Sequence, residues 1–342
     1  MTRVLVVDDS SFMRTSLTHL LESDEAIHVI GTAADGAEAL RKVKELRPDV
    51  VLLDLEMSGM NGLLALAHIM AEHPTPVLVL TGLSKTDTTV ALRCLEKGAL
   101  DCIPKPSGVI SYDIGTLRTE LIAKVKLAAE VNVRTLAPCC PRTTAQPLRH
   151  QAVKREQVVV IGASTGGPRA VAMILSALPP ALAAAMLVVQ HMSPAFLPSF
   201  VDRLRGHCAL EIALACQHEA LLPGRVLVAP GGCHTLIVAT EAGKRIRLSD
   251  MASPHAIFPC IDFAMASAAE AYGAGAVGVL LTGIGSDGAR GMKSIKVSGG
   301  RTIAEDSSTC LVFGMPRAAI ELGCADQVVP LSRLASAIVQ MI

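Results

Sequence analysis

The chain has 342 residues, 51% of them hydrophobic, which is material for two cores rather than one and excludes extended disorder. Lys plus Arg number 31 against 31 Asp plus Glu, so no net field draws nucleic acid or an anionic membrane, and neither is expected as a direct partner. The apolar run in MTRVLVVDDS is too short for an export signal, and no stretch reads as a membrane span. The ten cysteines, without a CxxC pair, are therefore expected as reduced thiols in a cytosol.

In chain order, VLVV (Val4 to Val7) is followed by Met13, Leu17, Leu20 and Leu21, spaced to share one helix face. IHVIG precedes Ala39, Leu40, Val43 and Leu46, and DVVLLDLEM precedes NGLLALAHIM. PVLVL precedes a helical pattern over Thr88 to Glu96, and LDCI precedes the stripe Ile114, Leu117, Leu121, Val125. Continuous apolar strands alternating with helices predict a parallel sheet covered on both faces, in a flavodoxin-like α/β fold over 1–125. Residues 126–154, with Pro138, Pro141, Pro147 and adjacent Cys139 and Cys140, lose the periodicity and are expected to form a basic linker.

In such a sheet, functional residues collect beyond the carboxyl ends of the strands. Asp8 and Asp9 follow the first predicted strand, Asp54 ends the third, Thr81 ends the fourth and Lys105 follows the fifth. Clustered carboxylates repel one another without a cation, and an all-oxygen set suits Mg²⁺. One of them can attack phosphorus to give an aspartyl phosphate, with Lys105 neutralising charge and Thr81 hydrogen-bonding the phosphoryl oxygens. Taken singly, the same residues can be turn acids or helix caps, as Asp9 and Ser10 illustrate.

VLVVDDS, DVVLLDLEM…NGL, LTG and IPKP together resemble the response-regulator receiver family. That resemblance implies phosphorylation of Asp54 by a histidine kinase. It implies Mg²⁺ held by Asp8, Asp9, Asp54 and the Glu56 backbone carbonyl, and a switch sensed by Thr81 and Lys105. Cys102 stands where many receivers carry an aromatic residue, and Ser58 and Asn61 stand where Pro and Asp are common.

A second α/β pattern opens with VVVIGASTGGP, a strand running into a Gly-rich turn and a helix starting near Pro168. Further strands are predicted at AAMLVVQ, GRVLVAP, HTLIVA and GAVGVLL, giving a doubly wound domain over 155–342. GASTG fits the loose G-x-S-x-G pattern, placing Ser164 in a turn whose amides can stabilise an oxyanion, although such a turn can also cradle phosphate. His191 follows the AAMLVVQ strand and Asp287 lies in GIGSDG beyond GAVGVLL, so three strand ends deliver Ser, His and Asp to one rim. Spacing leaves His234, in VAPGGCH, open as a rival base. Two other readings remain at this point: a binding module without catalysis, and a dinucleotide-binding oxidoreductase. The latter lacks G-x-G-x-x-G and an acid after the next strand.

VVVIGASTGGP, VVQHM, VAPGGCH, LLTGIGSDGARGM and FGMPRAA resemble the catalytic domain of the chemotaxis protein-glutamate methylesterase family. The resemblance implies a Rossmann-like serine hydrolase domain that demethylates glutamate methyl esters on chemoreceptors and deamidates certain of their glutamines. It implies Ser164, His191 and Asp287 as the triad and needs no cofactor for the esterase step. It implies that the membrane is met only through receptors, and that the unphosphorylated receiver covers the catalytic rim. Cys260 stands where a serine is usual.

Overall fold

A computed structural model describes residues 1–105, 114–131, 133, 156–252 and 257–342. The chain divides into two compact units, Met1–Pro138 and Cys139–Ile342.

The first unit runs β1 (Thr2–Val7), α1 (Ser11–Glu22), β2 (Ile27–Ala33), α2 (Gly36–Leu46), β3 (Val50–Asp54), α3 (Gly62–Glu72), β4 (Val77–Thr81), α4 (Lys85–Glu96), β5 (Asp101–Pro104) and α5 (Ile114–Ala128). The strands pair in parallel in the order β2-β1-β3-β4-β5, the flavodoxin-like arrangement expected. Val4 to Val7, Val50 to Leu53 and Val77 to Leu80 are fully buried, because helices cover both faces and the strands need no polar side. Four helices start on side-chain caps: Ser10, Asp35, Asn61 and Ser84 each accept an N–H three residues on. Asn61, one of the departures from the receiver pattern, thus holds the start of α3 through the Leu64 N–H. Helix α5 continues to Ala128, past the expected boundary at 125. Most of the expected linker, with Cys139 and Cys140, lies outside the described residues.

The second unit runs β6 (Val158–Ala163), α6 (Gly167–Ala177), β7 (Ala185–Gln190), α7 (Leu197–His207), β8 (Glu211–Leu214), β9 (Arg225–Val228), β10 (His234–Thr240), β11 (Gly243–Ser249), α8 (Ile261–Tyr272), β12 (Ala276–Leu280), α9 (Ala289–Val297), β13 (Arg301–Glu305), α10 (Met315–Glu321), β14 (Gln327–Val329) and α11 (Leu331–Met341). Seven strands form a parallel sheet ordered β14-β13-β12-β6-β7-β9-β8. The order reverses between β6 and β12, so the crevice at their carboxyl ends is the switch point where such sheets place their sites. Helix α6 packs against α7 and α11, while α8 packs against α9 and β10.

One strand expectation is corrected. HTLIVA does not join the main sheet; β10 pairs antiparallel with β11 in a separate hairpin, its end turned to solvent. Strands β8, β13 and β14 extend the sheet where the sequence pattern is short and mixed with charge. Every cysteine among the described residues is a free thiol. No helix among them is long and apolar enough to cross a membrane.

Candidate functional site

Each unit gathers one cluster at the carboxyl edge of its sheet. In the first, Asp8 and Asp54 are fully buried and Asp9 is exposed, with one oxygen of each within 4.8 Å of the others. Lys105 Nζ lies 3.0 Å from Asp8 Oδ2 and 2.7 Å from Asp54 Oδ2. Beyond that ammonium, neither oxygen has a hydrogen-bond partner among the described residues. Their second oxygens accept backbone N–H groups, Ser10 on Asp8 and Glu56 on Asp54. Two buried carboxylate oxygens, partnered only by the Lys105 ammonium among the described residues, lie beside an exposed third acid and form an oxygen set that fits a hard divalent cation such as Mg²⁺.

Burial pushes the Asp54 carboxyl above its usual range, with the Asp8 charge adding to it, although Lys105 opposes the shift. For Lys105, burial acts downward, but the two carboxylates prevail and hold the ammonium above its ordinary value. Thr81 Oγ1 is buried without a hydrogen-bond partner among the described residues, and the Thr81 carbonyl accepts the Lys105 N–H at 2.9 Å. The five residues that the sequence placed at strand ends therefore share one pocket edge. The Cys102 thiol donates to the Ala91 carbonyl at 3.3 Å, tying β5 to α4 in place of an aromatic side chain.

In the second unit, β6 and β7 end in register, Ala163 opposite Gln190, so Ser164 and His191 follow neighbouring strands. The His191 N–H donates to the Ala163 carbonyl at 2.9 Å. Asp287 lies beyond β12, the neighbour of β6 on the other side, and is 2% exposed. His191 Nε2–H donates to Asp287 Oδ2 at 2.9 Å. That bond fixes the tautomer and leaves Nδ1 as the basic nitrogen.

Asp287 is held by more than the histidine. Its Oδ2 also accepts the Ile261 N–H at 2.8 Å, and Oδ1 accepts the Asp262 N–H at 2.9 Å and the Cys260 thiol at 3.3 Å. It thus caps α8, which has no cap of its own, and gains from the positive end of that helix. Burial alone would raise its carboxyl; His191 and the two backbone donors more than offset this and bring it to about 2. Asp262 returns the service, its Oδ1 accepting the N–H groups of Gly288 and Gly291 at the start of α9. Two helices therefore exchange carboxylate caps, which locks the loop carrying Asp287.

The Ser164 turn is fixed from the other side. The Ser164 N–H donates to the Thr282 carbonyl at 3.0 Å, and Thr282 Oγ1 donates to the Thr165 carbonyl at 2.9 Å. The Thr282 N–H is in turn held at 3.0 Å by Glu305 Oε2, a carboxyl raised above its usual range by burial. Gly283 allows close approach, since a Cβ there would stand 2.6 Å from Ser164 Cβ. Three amides in these turns are engaged: Ser164 by the Thr282 carbonyl, Gly167 by the Ser164 carbonyl and Gly283 by the Val312 carbonyl.

His234 is not a second base. It is fully buried, Nε2–H donates to the Met251 carbonyl at 2.9 Å, and Nδ1 accepts the Cys260 N–H at 3.0 Å. Burial lowers its basicity, and its ring stacks on Phe258 at 4.4 Å, so it braces the segment leading into α8. Strand spacing did not reveal Gln190, Asp262, Thr282 or Glu305 as parts of the site. The available signal was a polar residue ending an otherwise apolar strand, as Gln190 does.

An acidic pocket on a five-stranded parallel sheet, joined in one chain to a His191–Asp287 pair and a Gly-rich serine turn at a switch point, is the layout of a response-regulator enzyme. Residues 159–338 match the CheB methylesterase family and residues 4–111 the response regulator receiver domain. The chain belongs to the CheB methylesterase family. A Symbiobacterium thermophilum protein named protein-glutamate methylesterase/protein-glutamine glutaminase is 44% identical over 99% of this chain and 97% of its own. A Geobacillus kaustophilus protein of the same name is 44% identical over 99% of this chain and 98% of its own. The crystal structure of the Thermotoga maritima CheB methylesterase catalytic domain is 39% identical, with a TM-score of 0.54, covering 55% of this chain and 99% of that one. The family and the two-domain α/β architecture inferred from the motifs are thereby borne out, and the dinucleotide reading is set aside.

Proposed function

We propose that this chain hydrolyses glutamate methyl esters, and deamidates glutamines, on methyl-accepting chemoreceptors in the cytosol, under control of phosphorylation at Asp54. The observation that carries this reading is the His191–Asp287 pair at 2.9 Å, with the carboxylate buried, beside the Ser164 turn. His191 Nδ1 takes the Ser164 Oγ proton, and Oγ attacks the ester carbonyl. The charge on the carbonyl oxygen is met by turn amides, and Asp287 stabilises the imidazolium. Collapse of the tetrahedral adduct breaks the acyl–oxygen bond, and His191 returns the proton to the leaving group as methanol. Water, deprotonated by His191, then cleaves the acyl-enzyme to a glutamate side chain and restores Ser164. With glutamine the leaving group is ammonia and the steps are otherwise the same.

In the receiver, the Asp54 carboxylate attacks the phosphorus of a histidine kinase's phosphohistidine. Asp8, Asp9, Asp54 and the Glu56 carbonyl would hold Mg²⁺, which when bound offsets the negative charge brought together there. Lys105 balances the transferred phosphoryl group and the Thr81 hydroxyl donates to it. Phosphorylation controls hydrolysis only insofar as the two receiver states differ in their effect on the esterase. Methanol release from methylated receptor membranes, with and without a small phosphodonor and Mg²⁺, tests this reading. Wild type is expected to be activated and Asp54→Ala not to respond; equal activation of both would overturn the switch.

A further inference from the structure

Gln190 ends β7 immediately before His191 and opposite Ala163, the residue before Ser164, and it is 1% exposed. Its Nε2 donates to the Ser164 carbonyl at 2.9 Å and to the His191 carbonyl at 3.0 Å. Carbonyl oxygens only accept, so the amide can be oriented in one way: NH₂ toward the two residues and Oε1 away from them. Oε1 is then buried with no hydrogen-bond partner among the described residues. An orphaned buried acceptor is costly, and a methionine or leucine would avoid it. The seat of this amide is also tight, since a Cβ on Gly167 would come within 2.2 Å of Oε1.

We propose that Gln190 is a positioning residue that clamps the backbones of the nucleophile and the base to one another; this rests on Ser164 and His191 filling those roles. The Ser164 carbonyl is held twice, by Gln190 and by the Gly167 N–H at 2.7 Å, while its N–H is held by Thr282. The serine main chain is thereby fixed on both sides. The His191 carbonyl hangs from the same NH₂ group, so a shift of one residue is resisted by the other. Proton transfer from Oγ to His191 requires that relative placement, and errors near 1 Å in such geometry cost about 10²-fold in rate.

The test uses the full-length protein, an ester substrate and a fluorophosphonate that labels an activated serine. Gln190→Met keeps length and removes both donors. Its labelling rate at Ser164 and its kcat are expected to fall about 10- to 100-fold, with KM within about 2-fold. In Gln190→Glu the carboxyl faces two carbonyl oxygens, and only its protonated form can donate. Its activity relative to wild type at the same pH is therefore expected to rise as pH falls through that titration. If Gln190→Met does not fold, the direction of the Gln190→Glu pH profile decides alone. Variants with lower melting temperatures but wild-type kcat, labelling rate and pH profile would overturn the proposal and leave Gln190 a structural residue. Failure of the wild type to label at Ser164 would instead remove the triad reading and the proposal with it.

Discussion

Replacing Asp287 by Asn keeps the shape of the side chain and exchanges one acceptor for a donor. The carboxylate accepts from His191 Nε2 and Ile261 N on one oxygen, and from Asp262 N and Cys260 Sγ on the other. An amide cannot satisfy both sides. With NH₂ toward Asp262 it orphans a buried N–H; with NH₂ toward His191 it selects the wrong tautomer of the base. The wild-type carboxyl titrates at about 2 in the fold against an ordinary 3.8. At 1.36 kcal/mol per pH unit, its ionised form contributes about 2 kcal/mol to stability. Because the folded value is depressed, that contribution is complete above about pH 4 and is lost as pH falls toward 2.

Adding an orphaned donor at about 1–3 kcal/mol, Asp287→Asn is expected to lose roughly 3–5 kcal/mol at neutral pH. That corresponds to a fall in Tm of roughly 6–20 °C for a unit of this size. The variant should also lack the wild-type loss of stability between pH 4 and 2. In ester hydrolysis kcat should fall roughly 10³- to 10⁴-fold. Denaturant titrations at several pH values and initial-rate kinetics read both effects. A variant that loses stability but keeps kcat within about tenfold of wild type would show that Asp287 is a helix cap and not the orienter of the base.

Lys105→Met removes the ammonium between two fully buried carboxylates. It should lower the stability of the first unit by about 3–5 kcal/mol at neutral pH, less in acid where the carboxyls protonate; an unchanged urea midpoint would contradict this. Gly283→Ala places a Cβ 2.6 Å from Ser164 Cβ and 2.4 Å from Met315 Sδ. The methionine can move but the serine turn must move with it, so kcat should fall about 10- to 100-fold with little change in KM. Equal losses in both parameters for an uncharged small ester would point to a blocked pocket instead.

Much of this was legible because buried parallel strands carry runs such as VLVV, VVLL and VVVI that few other elements can use. Strand ends then point to the site, and Asp8, Asp9, Asp54, Thr81, Lys105, Ser164, His191 and Asp287 all stand at such ends. HTLIVA misled because an apolar run carries no record of its partner. The hairpin with GKRIRLS is set by pairing in space, and the charges alternating along β11 hide that strand from an apolar pattern. The bonds that hold the site were illegible for a related reason. Asp262 and Asp287 cap each other's helices from 25 or 26 residues away, and Glu305 reaches Thr282 across 23. Local sequence offers no sign of which donors a distant carboxylate will meet.

The most direct test of the catalytic account is methanol released from methylated chemoreceptor membranes by wild type and by Ser164→Ala. Ser164 is partly exposed and bound to its neighbours through its backbone, so alanine there should leave folding and Tm close to wild type. Turnover is expected from the wild type and none above background from the folded variant. Methanol release at a wild-type rate from Ser164→Ala would contradict it.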